Sequence, residues 1–326
     1  LPSVSLHNIL KSMIGTIYHI VRTARPRQWV KNFSLFAAPL FAGVLFKTSV
    51  LTNTIEAFFA FSAMSSAAYF INDIIDAPKD RLHPIKKNRP IASGKLSEKT
   101  AWIIAFFLVF GSIIYAINFI GTFFAFAIIS YILIQITYTL YIKNIIIMDS
   151  LTIATLFVIR VFAGGFASET SVSSWMTLAV IGLSLLLAFG KRRSEKTLLA
   201  KYLGKESGET RETLKHYPDN LLDSMISMSA AYSIITYSLF VFLSSPETFS
   251  RTLAPFLPSI LSSPKWMMLS IPIVIYGVAR YLYVIYEKEE GESPDRVLLS
   301  DLPLLASVIL WVSFVLLVIY VFPLVF

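Results

Sequence analysis

The sequence predicts an all-α protein, a polytopic bundle of about nine helices that cross a membrane. Three observations predict it. Apolar residues make up 56% of the 326-residue chain and charged residues only 15%, a balance outside the range of ordinary soluble domains. The apolar residues come in blocks of roughly twenty rather than in alternation, and about twenty residues of helix cross the hydrocarbon core. The basic residues also segregate. Apart from Lys47, Arg251 and Lys265 in alternate loops and Arg160 inside a block, the lysines and arginines, 28 in all, fall in segments that share one side. Positive charge collects on the inner face of a membrane, so the net charge of +8 reports topology and not a nucleic-acid partner. A multi-pass protein of the cell membrane follows, with its amino terminus cytoplasmic, its carboxyl terminus outside and an odd number of spans.

Taken in order, residues 1–27 read as an amphipathic segment on the inner surface. Leu6, Ile9, Leu10, Met13, Ile14, Ile17, Tyr18 and Val21 recur at helical spacing among polar and basic residues, the pattern of an interfacial helix rather than a signal peptide. Residues 28–326 form one transmembrane domain with spans near 28–46, 55–75, 100–117, 120–141, 146–166, 173–190, 221–243, 266–286 and 302–324. Two long basic segments, 76–99 and 191–220, follow even-numbered spans and would form a cytoplasmic cap over one cavity. In the second, Leu198, Leu199, Tyr202 and Leu203 suggest a short helix at the interface. The outer segment 244–265 holds Pro246, Pro255, Pro258 and Pro264, which argue against a long regular helix there. The chain has no cysteine, which excludes disulfides and thiolate metal sites and weighs against zinc.

The densest chemistry follows the second span: Asn72, Asp73, Asp76 and Asp80, then Arg81, His83, Lys86, Lys87 and Arg89. On a continuous helix Asp73, Asp76 and Asp80 sit at i, i+3 and i+7, which places them on one face. Pro78 disfavours the helical conformation at Ala77, so the helix is expected to end there with Asp80 on irregular backbone. Carboxylates at a span end gain nothing from the topology rule and cost desolvation. A metal-bound polyphosphate offsets that cost, and Mg2+ suits it because it takes a few carboxylates, its own waters and phosphate oxygens. The three aspartates are therefore the candidate catalytic and metal residues. Arg81, His83, Lys86 and Arg89 are placed to neutralise phosphate, whereas Lys87, Lys95 and Lys99 are what topology alone rewards. Further cationic candidates are Lys31 at the opening of the first span, Lys143 in a short inner loop, and Lys191 with Arg192 after the sixth span. Arg160, within a span, must face protein or water; pairing with a carboxylate and substrate binding are both open.

These residues resemble the UbiA superfamily of intramembrane prenyltransferases, whose hallmark is Asn-Asp-x-x-Asp-x-x-x-Asp after the second span. Asn72, Asp73, Asp76 and Asp80 match it fully. The resemblance implies a UbiA-like helical bundle with a magnesium and diphosphate site on the cytoplasmic side and a lateral opening for a lipid chain. Lys143 stands where that family carries a lysine between the fourth and fifth spans. A second aspartate-rich motif is usual after the sixth span, but here the stretch is Phe189-Gly190-Lys191-Arg192-Arg193-Ser194-Glu195-Lys196, one acid among four bases. That departure, with matches at Arg25 to Asn32, Asp80 to Pro84, Arg89 to Ala92, Arg160 with Ala163 to Gly165, and Gly190 to Arg192, is similar to the decaprenyl-phosphate phosphoribosyltransferase branch.

That branch implies transfer of a 5-phosphoribosyl group from phosphoribosyl diphosphate to a polyprenyl phosphate, with release of diphosphate. The acceptor is already an anion, so no general base is required, and no catalytic His or Ser arrangement stands out. One alternative keeps the family and transfers a prenyl group from a polyprenyl diphosphate to an aromatic or lipid acceptor; the basic 191–196 stretch argues against it. Another is a transporter or channel with Asp73 and Arg160 in an ion path. It predicts charge distributed through several spans, whereas the charges here cluster on one side.

Overall fold

The computed structural model describes residues 6–83, 86–203, 217–244, 265–288 and 294–325, and no strand occurs among them. Helix α1, Leu6–Ala24, leaves Met13, Ile14, Ile17, Tyr18 and Val21 exposed on one apolar face, as a helix lying in a membrane surface would. Its carboxyl end is pinned where Ser66 Oγ donates to the Ala24 carbonyl at 3.0 Å. Arg25 then takes the left-handed conformation (φ 53°, ψ 60°) and turns the chain.

The next segment departs from the expected first span. In place of a long α-helix over 28–46 stand a 3-10 helix, Pro26–Phe36, and the short α2, Ala37–Phe41. They run antiparallel to α3, Thr48–Leu82, with Trp29 paired to Ser66, Asn32 to Ser62 and Phe33 to Phe58. A 3-10 helix rises about 2.0 Å per residue. The 11 residues of that helix and the five of α2 thus reach roughly 30 Å, the thickness of the hydrocarbon core. Tighter winding gives the segment a reach comparable to that of a longer α-helix.

Eight further helices among the described residues are long and apolar enough to span. They are α3; α4, Glu98–Tyr115, prolonged by a π-helical turn to Ile120; α5, Thr122–Leu140; α6, Met148–Ala167; α7, Ser174–Leu203; α8, Asp219–Ser244; α9, Ile271–Tyr283, with helical turns at either end; and, after the short α10, Pro294–Ser300, α11, Leu302–Leu316. Gly121, at φ 142°, makes the break between α4 and α5, in a conformation closed to residues with a Cβ.

Two local expectations are corrected. Helix α3 does not stop at Ala77; it passes through Pro78 to Leu82. Proline removes a single intrahelical donor, and so near the end of a 35-residue helix packing outweighs that loss. Asp80 is thus on regular helix, and the chain leaves it at His83 (φ −84°, ψ 134°). Likewise, residues 191–203 are no separate interfacial helix but the continuation of α7. The rest of that segment to residue 216, and the proline-rich 245–264, lie outside the described residues.

Small residues let the helices approach. A Cβ on Gly164 of α6 would lie 1.9 Å from the Leu35 carbonyl oxygen, so the 3-10 segment rests directly on this glycine. Gly182 of α7 similarly admits the Ser233 backbone of α8, the packing mode that van der Waals contact favours in lipid. Helices α3 to α6 share one core around Phe61, Met64, Phe70, Ile128 and Tyr131. A second core joins α7, α8 and α9 around Leu186, Tyr217, Ile226 and Val284. Phe106, Phe107, Phe110, Phe119, Phe123 and Phe126 are exposed on the outside of α4 and α5, where lipid is their solvent.

Candidate active site

Three chain segments converge on the end of α3 that carries the aspartates. The first arrives through the left-handed turn at Arg25, whose Nη2 lies 2.6 Å from Asp73 Oδ1 and whose guanidinium stacks 4.8 Å over the Tyr69 ring. Burial opposes the Arg25 charge, but the Asp73 carboxylate and Tyr69 outweigh it and raise its pKa above the ordinary value. The second segment is the turn that follows α3. The Lys86 backbone N–H donates to His83 Nδ1 at 3.2 Å, and the chain folds back so that Arg89 Nη1 reaches Asp80 Oδ2 at 2.7 Å and Asp73 Oδ1 at 3.1 Å. Burial, and then the charges of Lys86 and Arg89, hold the His83 ring below its ordinary pKa. The third segment is the loop between α5 and α6, from which Lys143 Nζ reaches Asp76 Oδ1 at 2.5 Å. Asn72 accepts from Thr139 Oγ1 at 3.1 Å, tying α3 to the end of α5.

Asp73 and Asp80 are almost fully buried and Asp76 is partly open. The three carboxylates share a helix face but divide in partner. Asp73 and Asp80 bracket one cationic atom, Arg89 Nη1, while Asp76 turns to Lys143. No group of three His, Cys, Asp or Glu forms a ready-made cage among the described residues. Two carboxylates aimed at a single cationic point are nonetheless a donor set that Mg2+ accepts. The residues present fit the ion: Asp73 and Asp80 would hold it, and Asp76, here paired with Lys143, is the third carboxylate of the same face.

The other candidates fall in different places. Arg81 points away from the aspartates and pairs with Glu98 at 2.9 Å, both half exposed. Lys31 donates to Gln28 Oε1 on the 3-10 segment, and its charge acts on Lys191; Lys191 in turn stands 3.8 Å from Glu195. Glu195 also acts on His83, so the end of α7 meets the turn after α3. Arg160 is buried toward the membrane interior. Its Nε donates to Asn32 Oδ1, its Nη1 to the Leu156 carbonyl and its Nη2 to Tyr131 Oη, all within 3.1 Å, and the Phe61, Tyr131 and Phe157 rings surround it. Neither a carboxylate nor the aspartate cluster is its partner: Ser65, beside Asn32, is about 12 Å along α3 from Asp73. Arg192 is also engaged internally. It contacts Asp149 Oδ2 at 2.6 Å, Glu195 Oε2 at 2.9 Å and Tyr138 Oη at 3.1 Å, and both Arg192 and Asp149 are buried.

Sequence reasoning left out Arg25 as a site residue, although it opens the basic stretch before the first span. It also left out Asp149, Tyr138 and Tyr217, whose partners lie dozens of residues away and leave no local pattern.

Comparison with known proteins agrees with this geometry. Residues 33–191 match the UbiA prenyltransferase family. The decaprenyl-phosphate phosphoribosyltransferase of Corynebacterium glutamicum is 31% identical over 310 residues, 93% of this chain and 87% of the relative. That of Mycobacterium tuberculosis is 32% identical over 299 residues, covering 90% and 92%. Among solved structures, a UbiA homologue from Archaeoglobus fulgidus bound to DMAPP and Mg2+ superposes with a TM-score of 0.66 at 20% identity, over 92% of this chain and 98% of that one. A digeranylgeranylglyceryl phosphate synthase gives 0.54 at 16% identity. The helical bundle has its counterpart in those solved structures, and the chain belongs to the UbiA prenyltransferase family.

Proposed function

We propose that the protein transfers a 5-phosphoribosyl group from phosphoribosyl diphosphate to a polyprenyl phosphate of the decaprenyl type, releasing diphosphate, at a site on the cytoplasmic side of the membrane. The observation that carries this reading is the composition of the inner end of α7. Glu195 is its one carboxylate between Phe189 and Lys196 and contacts Arg192 and Lys191, while Arg192 is committed to Asp149, so this end of the helix supplies the Lys191 ammonium and no second set of metal-binding carboxylates. A donor with phosphate at both ends needs a metal-binding wall and a cationic wall; a prenyl diphosphate, with phosphate at one end, does not. The names of the relatives from Corynebacterium and Mycobacterium support the same substrates.

On this reading Asp73 and Asp80 would hold Mg2+, which when bound would stabilise charge on the departing diphosphate. Arg25 and Arg89 stand at the oxygens of those two aspartates and Lys143 at Asp76, and they supply positive charge where negative charge develops. The C1–O bond to diphosphate breaks, a lipid phosphate oxygen forms the new bond to C1, and no proton moves, since the acceptor is already anionic. Lys31 and Lys191 hold the remaining phosphate. His83, neutral and bonded through Nδ1 to the Lys86 backbone, fixes the turn that carries Lys86 and Arg89. A carboxylate beside C1 would favour the oxocarbenium character expected of such a transfer.

The test is transfer of label from phosphoribosyl diphosphate to polyprenyl phosphate by the purified protein in detergent, with and without Mg2+, beside a prenyl diphosphate as rival donor. Label entering the lipid phase from the ribosyl donor only when Mg2+ is present is the expected result. Transfer from the prenyl diphosphate alone would overturn the reading.

A further inference from the structure

The loop between α5 and α6 contains the one β-branched residue with positive φ among the described residues: Ile147, at φ 69°, ψ −46°. The Met148 N–H donates to the Ile146 carbonyl at 2.8 Å across it, which makes Ile147 the centre of a γ-turn of the rare, strained hand. A β-branched side chain disfavours this region, and such backbone persists only where its surroundings over-determine it. The surroundings here do so. Ile147 N–H donates to Tyr217 Oη at 2.5 Å, and Tyr217 Oη donates to Asp149 Oδ1 at 2.8 Å. Ser150 N–H donates to the same Asp149 oxygen at 2.7 Å, while Arg192 Nε holds the other. Tyr217 itself is fixed through its carbonyl, which accepts from Lys196 Nζ at 2.7 Å. Tyr217 is fully buried, and burial pushes its phenol up to about 12, so it donates to Asp149 across the physiological range. Nothing in the chemistry proposed above uses these groups.

Four residues before Ile147 in the same loop stands Lys143, on Asp76. We propose that Tyr217, with Asp149 and Arg192 behind it, is a positioning residue: it clamps the strained turn at Ile147 and thereby sets Lys143 against the aspartate-bearing helix. The second cytoplasmic segment, contributed through α7 and Tyr217, therefore acts on the reaction through the α5–α6 loop. This inference rests on the phosphoribosyl-transfer reading for its kinetic arm only.

The experiment has two readouts. Amide exchange by mass spectrometry over residues 141–149, without substrate, compares wild type with Tyr217→Phe, which keeps the ring in the core and removes the oxygen. Exchange of this loop accelerates at least about tenfold if the phenol closes the Ile147 amide. Kinetics, normalised to folded protein, then compare Tyr217→Phe, Tyr217→Phe with Ile147→Gly, and Tyr217→Phe in a Lys143→Ala background. The phenylalanine variant loses about tenfold or more in kcat and kcat/KM together. Glycine adopts positive φ without strain, so Ile147→Gly restores most of that loss, and Tyr217→Phe adds nothing once Lys143 is gone. Unchanged loop exchange, a loss that glycine does not repair, or a further loss in the Lys143→Ala background would each overturn the proposal. A wild-type protein that transfers no phosphoribosyl group would overturn the functional reading instead, while the exchange comparison would still decide the clamp.

Discussion

Gly164→Ala and Gly111→Ala are the same chemical change on two membrane helices, and the structure assigns them opposite signs. At Gly164 the new methyl would sit 1.9 Å from the Leu35 carbonyl oxygen and 2.5 Å from its carbon. Ordinary van der Waals contact begins more than 1 Å farther out, near 3.5 Å, and the obstacle is backbone, which has no rotamer to escape into. The 3-10 segment must move off α6 by roughly that overlap, and the same segment carries the Asn32–Arg160 and Trp29–Ser66 hydrogen bonds. Overpacking of this kind costs about 1–3 kcal/mol, against about 1 kcal/mol gained from alanine's better helix propensity. At Gly111 nothing lies within 4 Å of the added methyl, so only the propensity gain of about 1 kcal/mol remains. Thermal unfolding of the purified variants in one detergent should place Gly164→Ala below wild type and Gly111→Ala at or above it. Because the displaced segment begins at Arg25, Gly164→Ala should also slow turnover in the fraction that stays folded. A Gly164→Ala protein as stable as Gly111→Ala would refute the close approach of the 3-10 segment to α6.

Three further outcomes are expected. Asp73→Asn and Asp80→Asn should abolish turnover while leaving folded, monodisperse protein, whereas Arg81→Ala, which removes only a half-exposed pair with Glu98 worth at most about 1 kcal/mol, should change little; full activity in both aspartate variants would remove the metal assignment. His83 has a folded pKa below its unfolded value, so the stability it contributes is complete above the unfolded value, about 6.5, and is lost as pH falls through the lower folded value. The melting temperature should hold from pH 8 to about 6.5 and then decline, with part of the decline missing in His83→Gln, a difference read directly from paired pH series. Finally, since the chain has no cysteine, Lys47→Cys and Lys87→Cys give clean single labels, and an impermeant maleimide on intact cells should modify the first and not the second.

The long helices were legible in the sequence because lipid leaves a helix no choice: blocks of apolar residues near twenty must satisfy their backbone internally, and span edges followed to within a few residues for α5, α6, α8 and α11. Residues 26–41 were harder. Their length suggested an α-helix, but the winding was decided by Leu35 against Gly164 and Asn32 against Ser62, contacts between residues far apart in the chain. Pro78 misled in the opposite direction, since local backbone preference yielded to the packing of a long helix. In the candidate site, the acidic face of Asp73, Asp76 and Asp80 could be read from spacing alone. That Arg89 would bridge two of them, or that Arg192 would bond to Asp149 rather than stand free, depends on how turns close in three dimensions. Arg160 shows the same limit: the sequence required a partner for it, and only the fold could name Asn32, Tyr131 and the Leu156 carbonyl.

The ion pairs around α3 have a consequence for how the site fills. Asp73, Asp76 and Asp80 are matched by Arg25, Arg89 and Lys143, so this part of the site is close to electroneutral before any substrate arrives. On the proposed reading it would act as an ion exchanger. Each guanidinium or ammonium that moved toward a phosphate oxygen would strip a carboxylate of its counter-ion at the edge of the bilayer, where a bare charge is costly, and a divalent cation arriving with the donor would fill that vacancy. Metal and polyphosphate should therefore enter as one unit, each weakly held without the other.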